Sequence, residues 1–151
     1  IVAGDLNVDK LHYASEYQLM LQILNASEPE KADYGHDVTA DDVNKIASAY
    51  TTQTSDLQVS SSGTVVKLLP DDNKGSRHQR FILKLSNNQT VLIAHNIDLA
   101  PKISSLRKGD TVEFNGEYEW NSKGGVVHWT HHDPAGRHQS GWLKHNGSTY
   151  E

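Results

Sequence analysis

The hydrophobic period of this chain changes once, at Gly63, and that change limits the fold more than any other feature. Before it, apolar residues recur at helical spacing. After it they alternate, as on strands with one buried face. In the first part, Ser15-Glu16-Tyr17-Gln18 has the form of a capping box, followed by Tyr17, Met20, Leu21 and Leu24 at i, i+3, i+4, i+7. Asn25 to Pro29 ends this helix. Thr39-Ala40-Asp41-Asp42 opens a second, with Val43, Ile46, Ala47 and Tyr50 as its stripe and acidic residues placed to complement the helix dipole. Thr51 to Ser62 reads as a polar connector.

Five strands are expected beyond it: Gly63 to Leu69, His78 to Leu85, Thr90 to Asn96, Thr111 to Trp120 and Val126 to Thr130. Asn87-Asn88 suits the positive-φ positions of a hairpin turn. Ile97 to Leu106, interrupted by Pro101, is a crossover with room for one or two helical turns. This order predicts a mainly β fold, a five-stranded OB-like barrel with antiparallel pairing and an N-terminal helical extension; a five-stranded sandwich is the rival. The expected division is an acidic helical extension at 1–56 and a barrel domain at 57–151.

Charge follows the same division. Residues 1–56 hold ten acidic against three basic residues, and residues 57–151 hold nine against eleven. A net of −5 argues against bulk affinity for nucleic acid, but the second part keeps a weak, local affinity for anions. No apolar run approaches the ~20 residues that span a bilayer. Ile1 opens inside an apolar run, as expected of a chain relieved of a leader or cut from a longer one. The absence of cysteine excludes disulfides, thiolate zinc sites and a cysteine nucleophile.

Several long motifs carry a resemblance. Gly63-Thr64-Val65-Val66, Gly75 to Phe81, Ala94-His95-Asn96-Ile97-Asp98-Leu99-Ala100-Pro101, Gly116-Glu117-Tyr118-Glu119-Trp120 and Val127 to Pro134 are similar to a bacterial family of small exported proteins classed as a domain of unknown function. The resemblance covers residues 57–150. It implies an OB-like fold and export to the periplasm or the outside of the cell, and it carries no activity. A shorter stretch, Ile1-Val2-Ala3-Gly4-Asp5-Leu6-Asn7-Val8, resembles the endonuclease/exonuclease/phosphatase superfamily. With Ser15-Glu16-Tyr17 and Leu24 to Pro29 it is most similar to bacterial sphingomyelinases. That resemblance implies catalytic roles for Asp5 and Asn7, on the attacking water and the phosphate. The family's upstream metal-binding Glu segment and downstream Ser-Asp-His segment have no counterpart in this chain.

Three functional classes compete. An OB barrel binds extended ligands across its second and third strands through cations and stacking aromatics. Arg77, His78, Arg80, Lys84, His95 and Asn96 occupy those strands, with Trp120, His128, Trp129 and Trp142 as further contacts. The expected ligand is single-stranded nucleic acid, ranked ahead of polysaccharide, and the bland alternative is a satisfied polar patch with core tryptophans. The second class is a histidine-dependent or metal-assisted hydrolase of phosphodiesterase type. Its catalytic candidates are His78 and His95, with Asp5 and Asn7 from the short resemblance. Five of nine histidines fall in the last 24 residues. Because His128 and His132 would lie ~13 Å apart on a strand, a zinc-type site is drawn instead from the bend: His131, His132, Asp133 and His138. Loop histidines bonded to backbone are the plain alternative there. The third class is a protein-interaction module whose acidic helices dock on the basic face.

Overall fold

The structure, a computed structural model, describes residues 41–151. The first expected helix, Asp5 and Asn7 lie outside the described residues. The second expected helix is present as α1 (Val43–Thr52), with Val43, Ile46 and Ala49 buried. Asp42 leaves its cap unmade because both its backbone N–H and its carboxylate are bonded to Ser60, at 2.7 and 2.8 Å. The helix stops at Gln53, which takes a left-handed conformation while Thr54 donates to Ala49 O at 2.9 Å.

Seven strands follow: β1 (Leu57–Asp72), β2 (His78–Lys84), β3 (Thr90–Asn96), β4 (Thr111–Glu119), β5 (Val126–His128), β6 (Trp142–His145) and β7 (Ser148–Tyr150). β1 is longer than its apolar pattern, because its first half is polar. Ser60 to Ser62 pair with β4 through backbone hydrogen bonds that need no apolar side chain. Its second half turns onto β2, with register shifts between Val65 and Lys67 and between Leu69 and Asp72. Gly63 sits at the changeover, where a Cβ would lie 2.8 Å from Lys84 O.

The pairings run β1–β2–β3–β5–β4 and return from β4 to β1, a closed cycle of five strands, with β6 and β7 attached beside β4. The expectation of antiparallel pairing throughout fails at one place: β3 and β5 are parallel, with Leu92 opposite Val126 and Ile93 opposite Val127. An odd number of strands cannot close a ring with directions alternating at every pair, so one parallel pair is required. The Ile97–Leu106 crossover contains no helix. Pro101 removes one N–H, and side chains bind the segment instead. The Gln79 amide bonds both the N–H and the carbonyl of Ile103, each at 2.9 Å.

Inside the cycle lies the main core, which includes Val59, Phe81, Leu83, Ile93, Val112, Phe114, Tyr118 and Val127. Val43, Ile46 and Ala49 of α1 belong to the same cluster. A smaller group on the opposite face of the strands joins Ile82, Leu92, Ala94 and Val126. The unexpected β6–β7 hairpin turns at Asn146-Gly147, both at positive φ, the dipeptide favoured by two-residue turns. No helix among the described residues is long and apolar enough to cross a membrane.

Candidate functional site

Alternation on β4 and β5 places three chemically active side chains together. Phe114 and Tyr118 point into the main core, so Glu117 and Glu119 share the other face. On β5, Val127 points inward and His128 outward, and the register sets His128 opposite Glu117. Gly116 allows the two strands to approach, since a Cβ there would meet the carbonyl of His128. One ligand atom each from Glu117, Glu119 and His128 falls within 4.8 Å of the others, and all three residues are buried. His128 Nε2 lies 3.3 Å from Glu119 Oε2.

Two buried carboxyls in contact cannot both stay ionised without a cation. Burial, together with the hydrogen bond to Glu119, raises Glu117 above the usual carboxylate range. Glu119 goes the other way. Against its burial, hydrogen bonds from His128 and Glu117 lower it, and the His128 charge adds to this. Asp56, just before β1, contributes a third carboxyl to the hydrogen bonding of the pair. Glu117, Glu119 and His128 are thus a donor set that could hold a borderline or hard divalent cation.

The second histidine arrives on the loop between β5 and β6. His138 Nε2 hydrogen-bonds Glu117 Oε1. Its ring stacks on Trp129 with centroids 4.1 Å apart and planes 9° from parallel. Asp133 builds the loop that carries it, accepting from the backbone N–H groups of Ala135, Arg137 and His138 at 2.9, 2.7 and 2.8 Å. Against some burial, these donors hold the Asp133 carboxyl below its usual value.

The four metal candidates from the bend therefore separate. Only His138 faces the carboxylates. His131 Nδ1 donates to His132 O at 2.6 Å, and exposed His132 bonds Ser140 Oγ and lies 3.3 Å from Glu151. Asp133 organises the loop. His78 and His95 sit on neighbouring strands, but His95 is fully buried. Its Nε2 donates to Pro101 O at 2.9 Å and its Nδ1 accepts from Thr130 Oγ1 at 2.7 Å. Burial, then the charges of His131 and His78, lower it from 6.5 to about 4, which keeps it neutral.

The expected ligand strands are mostly covered. His78, Arg80, His95 and Asn96 are buried. Arg80 donates twice to Pro70 O, His78 Nδ1 to Ser76 O, and Asn96 Oδ1 accepts from Asp98 N–H. Arg77 and Lys84 are exposed, and Arg77 is paired with Asp98 at 2.7 Å. Trp120 donates to Tyr50 O, and Trp129 is buried. Trp142 is half-buried beneath Lys144, whose Nζ lies 4.4 Å from its ring centroid.

The chain is therefore a mainly β protein, a closed cycle of strands with a buried carboxylate–histidine cluster on its outer face. It belongs to the DUF3465 family, described as a protein of unknown function, whose profile matches residues 32–151. The match begins upstream of the boundary expected at 57 and takes in α1. No curated protein matches the chain. Nothing in these comparisons supports the endonuclease-like reading of residues 1–30.

Proposed function

We propose that the protein is an OB-like β-barrel with a divalent metal centre at Glu117, Glu119 and His128, and that it acts as a metal-assisted hydrolase. One observation carries this reading: three buried donor atoms of the right chemistry, from two adjacent strands, lie within 4.8 Å of one another. The cycle β1–β2–β3–β5–β4 with its single parallel pair supports the barrel.

An ion held there supplies a Lewis acid that makes water nucleophilic near neutral pH. The chain supplies the remainder. Glu119 and His128 would hold the cation, Glu117 would complete the donor set, and His138 Nε2 is placed to take or return a proton at Glu117 Oε1. Zinc is the first ion to test, because it takes both imidazole nitrogen and carboxylate oxygen, and three protein donors leave a fourth position for water.

Calorimetric titration of the metal-free chain with Zn²⁺ is expected to give one site per chain. Glu119→Gln keeps the shape and removes the charge, and affinity should fall at least on the order of 100-fold, beyond what loss of an outer-shell partner costs. Equal affinity in the variant would remove this reading. Binding of an extended ligand, nucleic acid or polysaccharide, is the second reading. Exposed Arg77 and Lys84 and half-buried Trp142 support it.

A further inference from the structure

The outer face of β2 and β3 is covered although it lies outside the ring. Phe81, Leu83, Val91 and Ile93 point into the main core, so His78, Arg80, Ile82, Leu92, Ala94 and Asn96 point outward. The register pairs these six across the two strands: His78 with Asn96, Arg80 with Ala94, Ile82 with Leu92. The second face of an antiparallel sheet is commonly solvated. Here none of the six is more than 5% exposed, and Val126 of β5 continues the buried apolar group.

A side chain with no exposed area has other atoms packed over it. Among the described elements, α1 belongs to the inner core, and β2 and β3 pack chiefly against each other and their ring neighbours β1 and β5. Val66 and Leu69 of β1 shield one margin. The β5–β6 loop is engaged beyond the other margin, at Glu117 and Trp129.

We propose that residues 15–24 dock across this face as an amphipathic helix, with Tyr17, Met20, Leu21 and Leu24 on Ile82, Leu92, Ala94 and Val126. The inference is independent of the metal reading. Charge favours it: residues 1–40 hold seven acidic and two basic residues, and the face carries Arg80 and His78, with exposed Lys84 at its end. Glu117 and Glu119 stand on β4, outside the strands covered. Length favours it as well. A helix over 15–24 is ~15 Å long, and three strands spaced ~4.8 Å apart are ~10 Å across. The connecting residues 25–40 reach up to ~50 Å when extended. They end at Asp41, whose carboxylate accepts from Ser61 Oγ at 2.8 Å and Val43 N–H at 3.1 Å. Ser61 lies on β1, the strand that runs on to set Leu69 opposite Arg80. An extended ligand for β2 and β3 would have to displace this helix.

Diethyl pyrocarbonate, which carbethoxylates accessible imidazole, reads the cover directly in the full 151-residue chain. His78 on the face should react slowly, and so should His95 on the inner side of β3. Met20→Asp together with Leu21→Asp should release the helix. His78 should then react about tenfold faster or more, the factor that 1.4 kcal/mol of lost docking represents. His95 should stay protected and so report an intact barrel. Equal protection of His78 in that folded variant would overturn the proposal. Where His95 becomes reactive too, the barrel has opened, and disulfide trapping decides instead. The chain has no cysteine, so Leu24→Cys with Leu69→Cys can form one bond only. It should close within a chain, and faster than Gln22→Cys with Leu69→Cys, whose first cysteine lies on the far side of the helix. Equal rates would contradict docking by this stripe, and bonds formed only between chains would give the face to a second copy.

Discussion

Lowering the pH from 7 to 4 is expected to destabilise the fold by about 3 kcal/mol through His95 alone. The direction follows from which state takes the proton. In the unfolded chain His95 titrates at its ordinary 6.5, whereas burial between β3 and the crossover lowers it to about 4 in the folded protein. Between these values the unfolded state binds the proton and the folded state does not, so stability present above 6.5 is lost as the pH falls toward 4. The side chain is fully buried and its two nitrogens are committed to Pro101 O and Thr130 Oγ1. Denaturant unfolding at a series of pH values measures the effect. Carboxylates contribute to acid sensitivity as well, so the comparison is between wild type and His95→Gln, which can preserve a hydrogen bond without titrating. The variant should lose stability less steeply between pH 6.5 and 4. Parallel curves would mean that His95 titrates normally in the folded state.

Metal binding should produce a comparable or larger change in the opposite direction. An ion that binds only the folded state stabilises it by about 4 kcal/mol when its free concentration is 1,000 times Kd. For a domain of this size that corresponds to a rise in Tm on the order of 15 °C. Zinc-loaded protein should melt well above chelated protein, and Glu119→Gln should bring the two curves together. Coincident curves for the wild type at saturating zinc would contradict the assignment of Glu117, Glu119 and His128 as ligands.

Sequence alone carries the mainly β character of residues 63–130 and the helix at Val43–Thr52, because each writes a period into the residues concerned, whereas of the expected Asn87-Asn88 pair only Asn88 takes a positive φ. It conceals the first half of β1, where Ser60 to Ser62 contribute backbone pairing and no apolar stripe. The parallel pairing of β3 with β5 is a property of ring closure, which no local pattern records. Asn146-Gly147 is a strong hairpin signal, and it marks the β6–β7 turn between two runs too short to show a clear alternation.

The candidate site was legible in part. His128 and His138 stand out as members of the C-terminal histidine group. Glu117 and Glu119 do not, since charged residues alternating with Phe114, Gly116 and Tyr118 are the ordinary pattern of a strand with a wet outer face. Only the register of β4 against β5 reveals that this face is buried and that His128 lies opposite Glu117. Likewise, Asp133 and His138 lie five residues apart in one loop, which suggests two ligands of one ion. In three dimensions the Asp133 carboxylate accepts three backbone N–H groups and builds the turn that delivers His138.

Diffraction from zinc-soaked crystals of the full chain, recorded on either side of the zinc absorption edge, tests the central claim most directly. The account predicts one strong anomalous peak bounded by Glu117, Glu119 and His128. A peak at His131, His132 or another surface histidine, with the Glu117–Glu119–His128 cluster empty at saturating zinc, would contradict it.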